Sequence, residues 1–328
     1  MFRDYRAAAA AVGAAAVAAI TMVGPSTVRA CSICRCGDAT FAALGGDVFA
    51  GPRLSFALDY ERFEKQSVHN EPLAGVTHTT SLAEDRLTLA AFYGRGGRWS
   101  ALARVPFSAR RLEVREFLIS KPTAAHQHLT PGQYDANALS DPEFSLFFRA
   151  WTSRFEPRFG RRTSLTLQGG TKLPLGRNDL QLQGVRLSEH LQAGTGSSDL
   201  FAGLSALHLV DERSTLFLSA SVRANGANGA GYHYGSAALA NAAYEHKLPG
   251  RFDGVLELNY RYARQDRLAP GAFDADTGGQ VLYVTPRLLA GVGAGWVARL
   301  AAQIPVATRL QGSQTEHAVL NAGLTYVR

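Results

Sequence analysis

From residue 53 onward the sequence alternates between apolar and polar or small side chains, in runs of about ten residues separated by turns. In Val255–Tyr262, for example, Leu256, Leu258, Tyr260 and Tyr262 fall on one side, and Glu257, Asn259 and Arg261 on the other. Leu54, Phe56, Leu58 and Tyr60 alternate with Ser55, Ala57, Asp59 and Glu61. Leu87, Leu89, Ala91 and Tyr93 do the same, as do Trp99, Ala101, Ala103, Val105 and Phe107. A period of two is the mark of a strand, because successive side chains of an extended chain point to opposite faces. The spacing predicts twelve strands, near 53–63, 85–94, 98–111, 142–152, 163–175, 198–210, 214–224, 234–246, 253–265, 279–290, 295–307 and 316–327. The eighth, rich in alanine, has little contrast between its faces. Twelve is even, so both ends of the array lie on the same side.

The connections alternate in length. Short ones (94–97, 153–162, 211–214, 247–253, 291–294) alternate with mostly longer, polar ones (64–84, 112–141, 176–197, 225–233, 266–278, 308–315). Short turns on one side and long loops on the other are the layout of an outer-membrane barrel. A soluble β-sandwich also alternates, but it does not account for the leader described below, the loop alternation and the aromatic residues Trp99, Trp151, Trp296 and Tyr326 near strand ends together. Composition agrees. Hydrophobic residues make up 46%, too many for a disordered chain, and the three cysteines all fall between positions 31 and 36, which excludes a disulfide-stapled scaffold. No apolar run of about 18 residues follows the first thirty positions, which excludes a helical membrane protein. The expected fold class is all-β: a transmembrane, antiparallel, up-and-down β-barrel of about twelve strands.

Residues 1–30 begin with Arg3 and Arg6, continue through an alanine-rich apolar stretch and end in Val28-Arg29-Ala30, the pattern of a secretory signal peptide. The expected organisation is a signal peptide over 1–30, a periplasmic cysteine-containing segment over 31–52 and an outer-membrane barrel over 53–328. Proline sits inside four expected strands, at Pro106, Pro174, Pro286 and Pro305. Since proline cannot donate to a ladder, each marks a bend or a strand end. Pro106, Pro174 and Pro305 lie toward the long loops, where they predict a built-in bend or lateral relaxation of the rim, or simple termination.

Three stretches carry a family resemblance: Lys172-Leu-Pro-Leu-Gly176, Gly194-Thr-Gly-Ser-Ser-Asp199 and Gln303-Ile-Pro-Val-Ala-Thr-Arg-Leu-Gln-Gly312. Together they resemble a bacterial family of outer-membrane barrels named for association with the meta-pathway of phenol degradation. The resemblance covers roughly strands 3 to 12, and it implies a transport barrel for small aromatic or other poorly soluble compounds. The chain ends Leu324-Thr-Tyr-Val-Arg328 instead of on the aromatic last residue common in outer-membrane barrels, with Tyr326 placed to serve instead.

If the apolar faces meet lipid, the opposite faces line the lumen. By that parity the lumen receives Arg53, Arg86, Arg104, Arg110, Arg149, Lys172, Arg223, Arg261, Arg287 and Arg299, against Asp59, Glu61 and Glu257. Such a wall favours anions and repels cations. The alternative is that these side chains pair with carboxylates and fill the interior, as in small barrels. The expected function is passive passage of small anionic or aromatic solutes. No basic run interleaved with aromatics suggests nucleic-acid binding.

Cys31, Cys34 and Cys36 form a C-x2-C-x-C cluster able to gather three sulfurs around Cu(I) or Zn(II). Oxidation of two of them to a disulfide is the competing outcome, and lipidation of Cys31 a third. The second functional reading follows from this cluster: a metal-linked or electron-transfer accessory that docks a periplasmic partner. His69, His78, His126, His128, His190 and His233 fall in or beside expected outer loops, and His126-Gln-His128 is spaced to bind a transition metal. An enzyme is not expected, since Gly231-Tyr-His233-Tyr-Gly-Ser236 pairs Ser with His but lacks an orienting carboxylate.

Overall fold

The computed structural model describes residues 52–71, 76–118, 132–154, 162–182, 185–186, 189–268, 271–274, 277–312 and 314–328. Within them the chain forms β1 (Pro52–Glu71), β2 (Val76–Arg95), β3 (Trp99–Leu118), β4 (Gly132–Leu139), β5 (Glu143–Thr152), β6 (Arg162–Lys172), and the short pair β7 (Gln181–Leu182) and β8 (Val185–Arg186). There follow β9 (Asp199–Leu209), β10 (Ser214–Asn225), β11 (Ala237–Lys247), β12 (Phe252–Ala263), β13 (Gly279–Gly293), β14 (Trp296–Leu310), β15 (Gln314–Glu316) and β16 (Val319–Val327). Adjacent staves pair antiparallel all the way round, β3 with both β4 and β5, β6 with β9 and β14 with β16, while β7 and β8 pair only with each other. The sheet closes because β1 bonds β2 along one edge, from Pro52↔Arg95 to Glu71↔Val76, and β16 and β15 along the other. Two staves are broken in the middle. β5 pairs with the first half of β3 and β4 with the second, the break falling at Ser140-Asp141-Pro142; β16 and β15 share β1 in the same way. The result is a closed twelve-stave barrel.

Its outer surface is apolar where a soluble protein's would not be. Leu200 is 66% exposed, Trp99 63% and Leu300 61%, and they belong to a band that includes Leu58, Leu89, Leu146, Val222, Leu256 and Leu258. Bare leucines in a continuous belt are stable against lipid and a liability in water. Aromatic pairs mark the inner edge of the belt: Trp99 with Phe148, ring centroids 4.7 Å apart, and Trp296 with Tyr326 at 4.9 Å. Trp151 reaches the outer face through a register shift between Arg149 and itself. At the opposite edge the outward positions turn charged. Arg62 pairs with Asp85 and Glu64, and Arg111 with Asp135, all exposed.

The first three strands run well beyond the expected ends, since 64–71, 76–84 and 112–118 continue the ladder in place of loops. Above the belt neither face needs to be greasy, so the two-residue contrast fades although the backbone pairing persists. β4 was likewise expected to be loop. Its apolar positions Tyr134, Ala136 and Ala138 face inward, the reverse of the membrane pattern. Three of the four prolines lie at an irregularity. Pro106 stands opposite the β4/β5 break, where its carbonyl accepts from the Ser140 N–H. Pro174 follows the end of β6, three residues short of the expected 175, and Pro305 faces the register shift between Leu282 and Tyr283. Pro286 instead stays inside β13 with the register unchanged on both sides, Val284↔Ile304 and Arg287↔Ala301 toward β14 and Leu256↔Pro286 toward β12.

Candidate functional site

The inward face is polar and tightly paired. Arg86 and Arg110 converge on Glu84, each 2.8 Å from one of its oxygens. Arg287 lies 2.8 Å from Glu257, and Arg104 lies 3.8 Å from Glu143. Three pairs reach past intervening staves: Arg261 to Glu316 at 3.0 Å, Arg223 to Glu143 at 2.6 Å, and Arg299 to Asp59 at 2.5 Å. Lys172 sits 2.6 Å from Asp199 and 3.5 Å from Asp141. Arg149 occupies an inward position on β5, and the side chain of Arg53 lies outside the described residues. Strand alternation had set only Asp59, Glu61 and Glu257 against these ten basic residues. The folded wall adds Glu84, Asp141, Glu143, Asp199 and Glu316. Those five were hidden because they sit at strand beginnings or in stretches that read as loop. At mid-height a ladder of amides and hydroxyls links β10 to β13: Asn241 donates to Ser219, Asn259 to Asn241, and Thr285 to Asn259.

One cross-strand row shows how a missing side chain shapes this wall. Gly170 and Arg223 flank Phe201 in register. A Cβ on Gly170 would lie 2.3 Å from both the Phe144 carbonyl oxygen and the Phe201 ring. The ring therefore occupies the space over Gly170, and the Arg223 guanidinium stands 5.0 Å above its centroid on the way to Glu143. Gly170→Val is expected to destabilise the folded barrel by about 1–3 kcal/mol through overpacking, read as a lower denaturant midpoint at unchanged slope.

The connection between β6 and β9 folds inward across the outer mouth. On one side its Leu180 and Ala193 pack against Leu82, Leu112 and Ala138, which are inward residues of β2, β3 and β4. Arg110 donates to the carbonyl of Gln192. The root of this connection is the place where two of the three family-like stretches meet. Asp141 accepts from the N–H groups of Gly176 (2.9 Å) and Thr195 (2.7 Å) and from the Thr195 hydroxyl (2.7 Å), while Ser197 donates to Asp199. Gly194 is held so close to Gly176 that a Cβ would come within 2.6 Å of its backbone. Lys172-Leu-Pro-Leu-Gly and Gly-Thr-Gly-Ser-Ser-Asp are thus two halves of one knot that ends β6 and turns the chain inward.

On the far side the same connection is held by the loops over 226–236 and 264–278. The Tyr232 hydroxyl donates to Asp266 Oδ2 at 2.7 Å and lies 2.9 Å from His190 Nε2 and 3.2 Å from Asp274 Oδ2. Asn228 donates to Glu189, which also pairs with Arg186. The Tyr232 contacts could not be read from spacing, because the partners lie 34 and 42 residues apart.

Cys31, Cys34, Cys36, His126 and His128 lie outside the described residues, as do the expected signal peptide and most of the periplasmic segment. His69 and His78 stand in β1 and β2 as cross-strand partners, not in a loop. Among the described residues no group of three His, Cys, Asp or Glu side chains is arranged to hold a metal ion. His233, the expected partner of Ser236, places its Nδ1 3.0 Å from the Tyr234 carbonyl. A different Ser–His contact, Ser214 Oγ to His246 Nδ1 at 3.0 Å, occurs on the lipid-facing side of the inner rim, with the Tyr244 hydroxyl donating to Ser214.

No protein-family model matches this chain, and no curated protein sequence does. Solved structures do. The fold is similar to that of the COG4313 outer membrane channel from Pseudomonas putida F1, with a TM-score of 0.61 at 10% identity over 86% of this chain and 98% of that one. More distant matches are the translocator domain of autotransporter NalP from Neisseria meningitidis (TM-score 0.42, 11% identity, 87% and 91% covered) and the TodX monoaromatic hydrocarbon channel (0.39, 12%, 93% and 96%). The chain has the fold of an outer-membrane β-barrel.

Proposed function

We propose that this barrel is a passive channel or transporter for small solutes, favouring those that carry an anionic group or an aromatic ring. The observation that carries the reading is the contrast between the two faces of one wall, apolar outside and lined inside by guanidinium groups and their carboxylates. Several of these guanidiniums also stand over rings, Arg86 over Phe63 at 5.4 Å and Arg261 over Tyr283 at 5.8 Å. A cation over a π-face attracts an aromatic solute as readily as a wall residue, and it adds attraction for phenolate or aromatic carboxylate. The family resemblance of the knot at Lys172–Gly176 and Gly194–Asp199 supports the same solute class.

The test is planar-bilayer conductance of the refolded protein with the reversal potential under a salt gradient. Openings favouring anions are expected, with selectivity moving toward cations in the Arg104→Gln/Arg261→Gln variant, whose Glu143 and Glu316 each lose a positive partner. A silent barrel, or one whose selectivity is unaffected by the two substitutions, would overturn the proposal.

A further inference from the structure

The two edges of the apolar belt carry charge in different ways. At the outer edge acidic and basic groups answer one another, Arg62 with Asp85 and Glu64, Arg111 with Asp135, and Arg177 with Asp179. At the inner edge the exposed charge is nearly all of one sign. Arg95 and Arg98 flank the turn between β2 and β3, and Arg154 and Arg162 the connection between β5 and β6. Arg213 stands in the β9–β10 turn, and Lys247 and Arg251 bound the β11–β12 turn. All are exposed, and among the described residues Asp211 and Glu212 are the exposed acidic groups of these turns. No ion pair among the described residues engages any of these basic side chains.

Their neighbours show at what level they sit. Tyr93 precedes Arg95, Trp99 follows Arg98, Trp151 precedes Arg154, and Leu248 and Phe252 adjoin Lys247 and Arg251, each a large exposed apolar side chain. The Arg98 guanidinium lies 5.9 Å from the centroid of the Phe148 ring, and that ring packs at 4.7 Å against Trp99 on the outer face. Arg98 is therefore turned to the lipid side and not into the lumen. Aromatic side chains at a belt edge occupy the headgroup layer of a bilayer, and long basic side chains beside them reach the phosphates of that layer. A zwitterionic lipid brings its own cation to its phosphate, whereas an anionic lipid leaves the phosphate to the protein.

We infer that the inner rim is a docking surface for anionic phospholipids, whose headgroup phosphates are taken by Arg95, Arg98, Arg154, Arg162, Lys247 and Arg251. The rim is continuous with the apolar belt, so a single lipid meets both, its chains against the belt and its phosphate at the rim. A soluble acidic partner would match the charge but would leave the exposed rings beside it without purpose. The inference rests on the lipid-facing reading of the belt and not on solute passage.

The test uses the protein's own fluorescence. The chain has three tryptophans, Trp99, Trp151 and Trp296, and all stand at this edge, so indole emission reports on the inner rim alone. The full barrel is refolded into phosphatidylcholine vesicles that contain a minor fraction of brominated phosphatidylglycerol or, in parallel, of brominated phosphatidylcholine, since bromine quenches indole on contact. At low ionic strength the anionic lipid is expected to quench as though bound about fivefold more tightly, the effect of one basic side chain near a charged surface. The preference should shrink toward one in 1 M salt, where the screening length falls to about 3 Å. Arg98→Gln/Arg154→Gln, which alters only exposed residues, should lower the preference at low salt, and Arg111→Gln at the outer edge should leave it in place. Equal quenching by the two lipids in the wild type, or a preference that neither salt nor the double variant reduces, would overturn the docking surface. Equal quenching together with salt-sensitive binding of polyglutamate would overturn it in favour of an acidic protein partner. Quenching by neither lipid would place the rings outside the bilayer and overturn the lipid-facing reading of the belt as well.

Discussion

Lys172→Met is expected to destabilise the barrel by about 3–5 kcal/mol, the range seen when one partner of a buried ion pair is removed and the other is left uncompensated. The reason is the crowding of charge around one ammonium. Asp199 lies 2.6 Å away and Asp141 3.5 Å, and both side chains are almost wholly withdrawn from solvent. Methionine fills about the same volume and removes the ammonium that both carboxylates share, leaving Asp199 with the Arg223 guanidinium at 3.9 Å. Equilibrium unfolding in lipid vesicles with urea measures the effect as a shift in midpoint at unchanged slope. The loss should be local in structure as well as large, because Asp141 orients Gly176 and Thr195. Lys172→Met/Asp199→Asn supplies the control. Removing a carboxylate along with the ammonium should recover part of the loss, whereas a purely steric effect of methionine would leave the double variant no better than the single.

The legibility of this chain divides along the edge of the lipid. Leu54, Phe56, Leu58 and Tyr60 announce a strand because hydrocarbon demands an apolar face and the lumen does not, so the period-two contrast is at its strongest there. Beyond Tyr60 that demand ends. Arg62 and Glu64 take the same outward positions, and the remainder of β1 cannot be distinguished from a polar loop. β4 carries a clear alternation with reversed sign, since Tyr134, Ala136 and Ala138 face the folded-in connection and Asp135 faces out.

The basic half of the interior ion pairs was visible for the same reason as the strands. Of the acidic half only Asp59, Glu61 and Glu257 were visible, because Glu84, Asp141, Glu143, Asp199 and Glu316 lie where the alternation weakens. The knot around Lys172 was visible only as wording. Its two stretches resemble a known family, but that Gly194 rests on Gly176 while Asp141 of the β4/β5 break ties them is a fact of tertiary structure. Of the Tyr232 cluster the sequence marked only His190, as an outer-loop histidine, and the Gly231–Ser236 segment, without joining them. The cluster's members come from three separate connections, and what joins them is the closing of the barrel that brings those loops over one mouth.

Placing a single arginine in the belt tests the membrane assignment itself. Leu256 lies near the middle of the lipid-facing side of β12 and is 55% exposed. In a water-soluble barrel an exposed leucine replaced by arginine would change stability by no more than about 0.5 kcal/mol in either direction. Facing hydrocarbon, Leu256→Arg should instead cost about 2–4 kcal/mol, the value for arginine near the bilayer midplane. The penalty depends on depth, so Glu64→Arg, on an exposed outward position above the belt, should cost about 0–1 kcal/mol. Both variants are read by folding and unfolding titration into vesicles of one lipid composition. A small effect at both positions would mean that the apolar surface is covered by something other than lipid. A large effect at Leu256 with a small one at Glu64 fixes the depth of the strand, and with it the level of the polar interior that Glu257, Asn259 and Arg261 occupy on the opposite face.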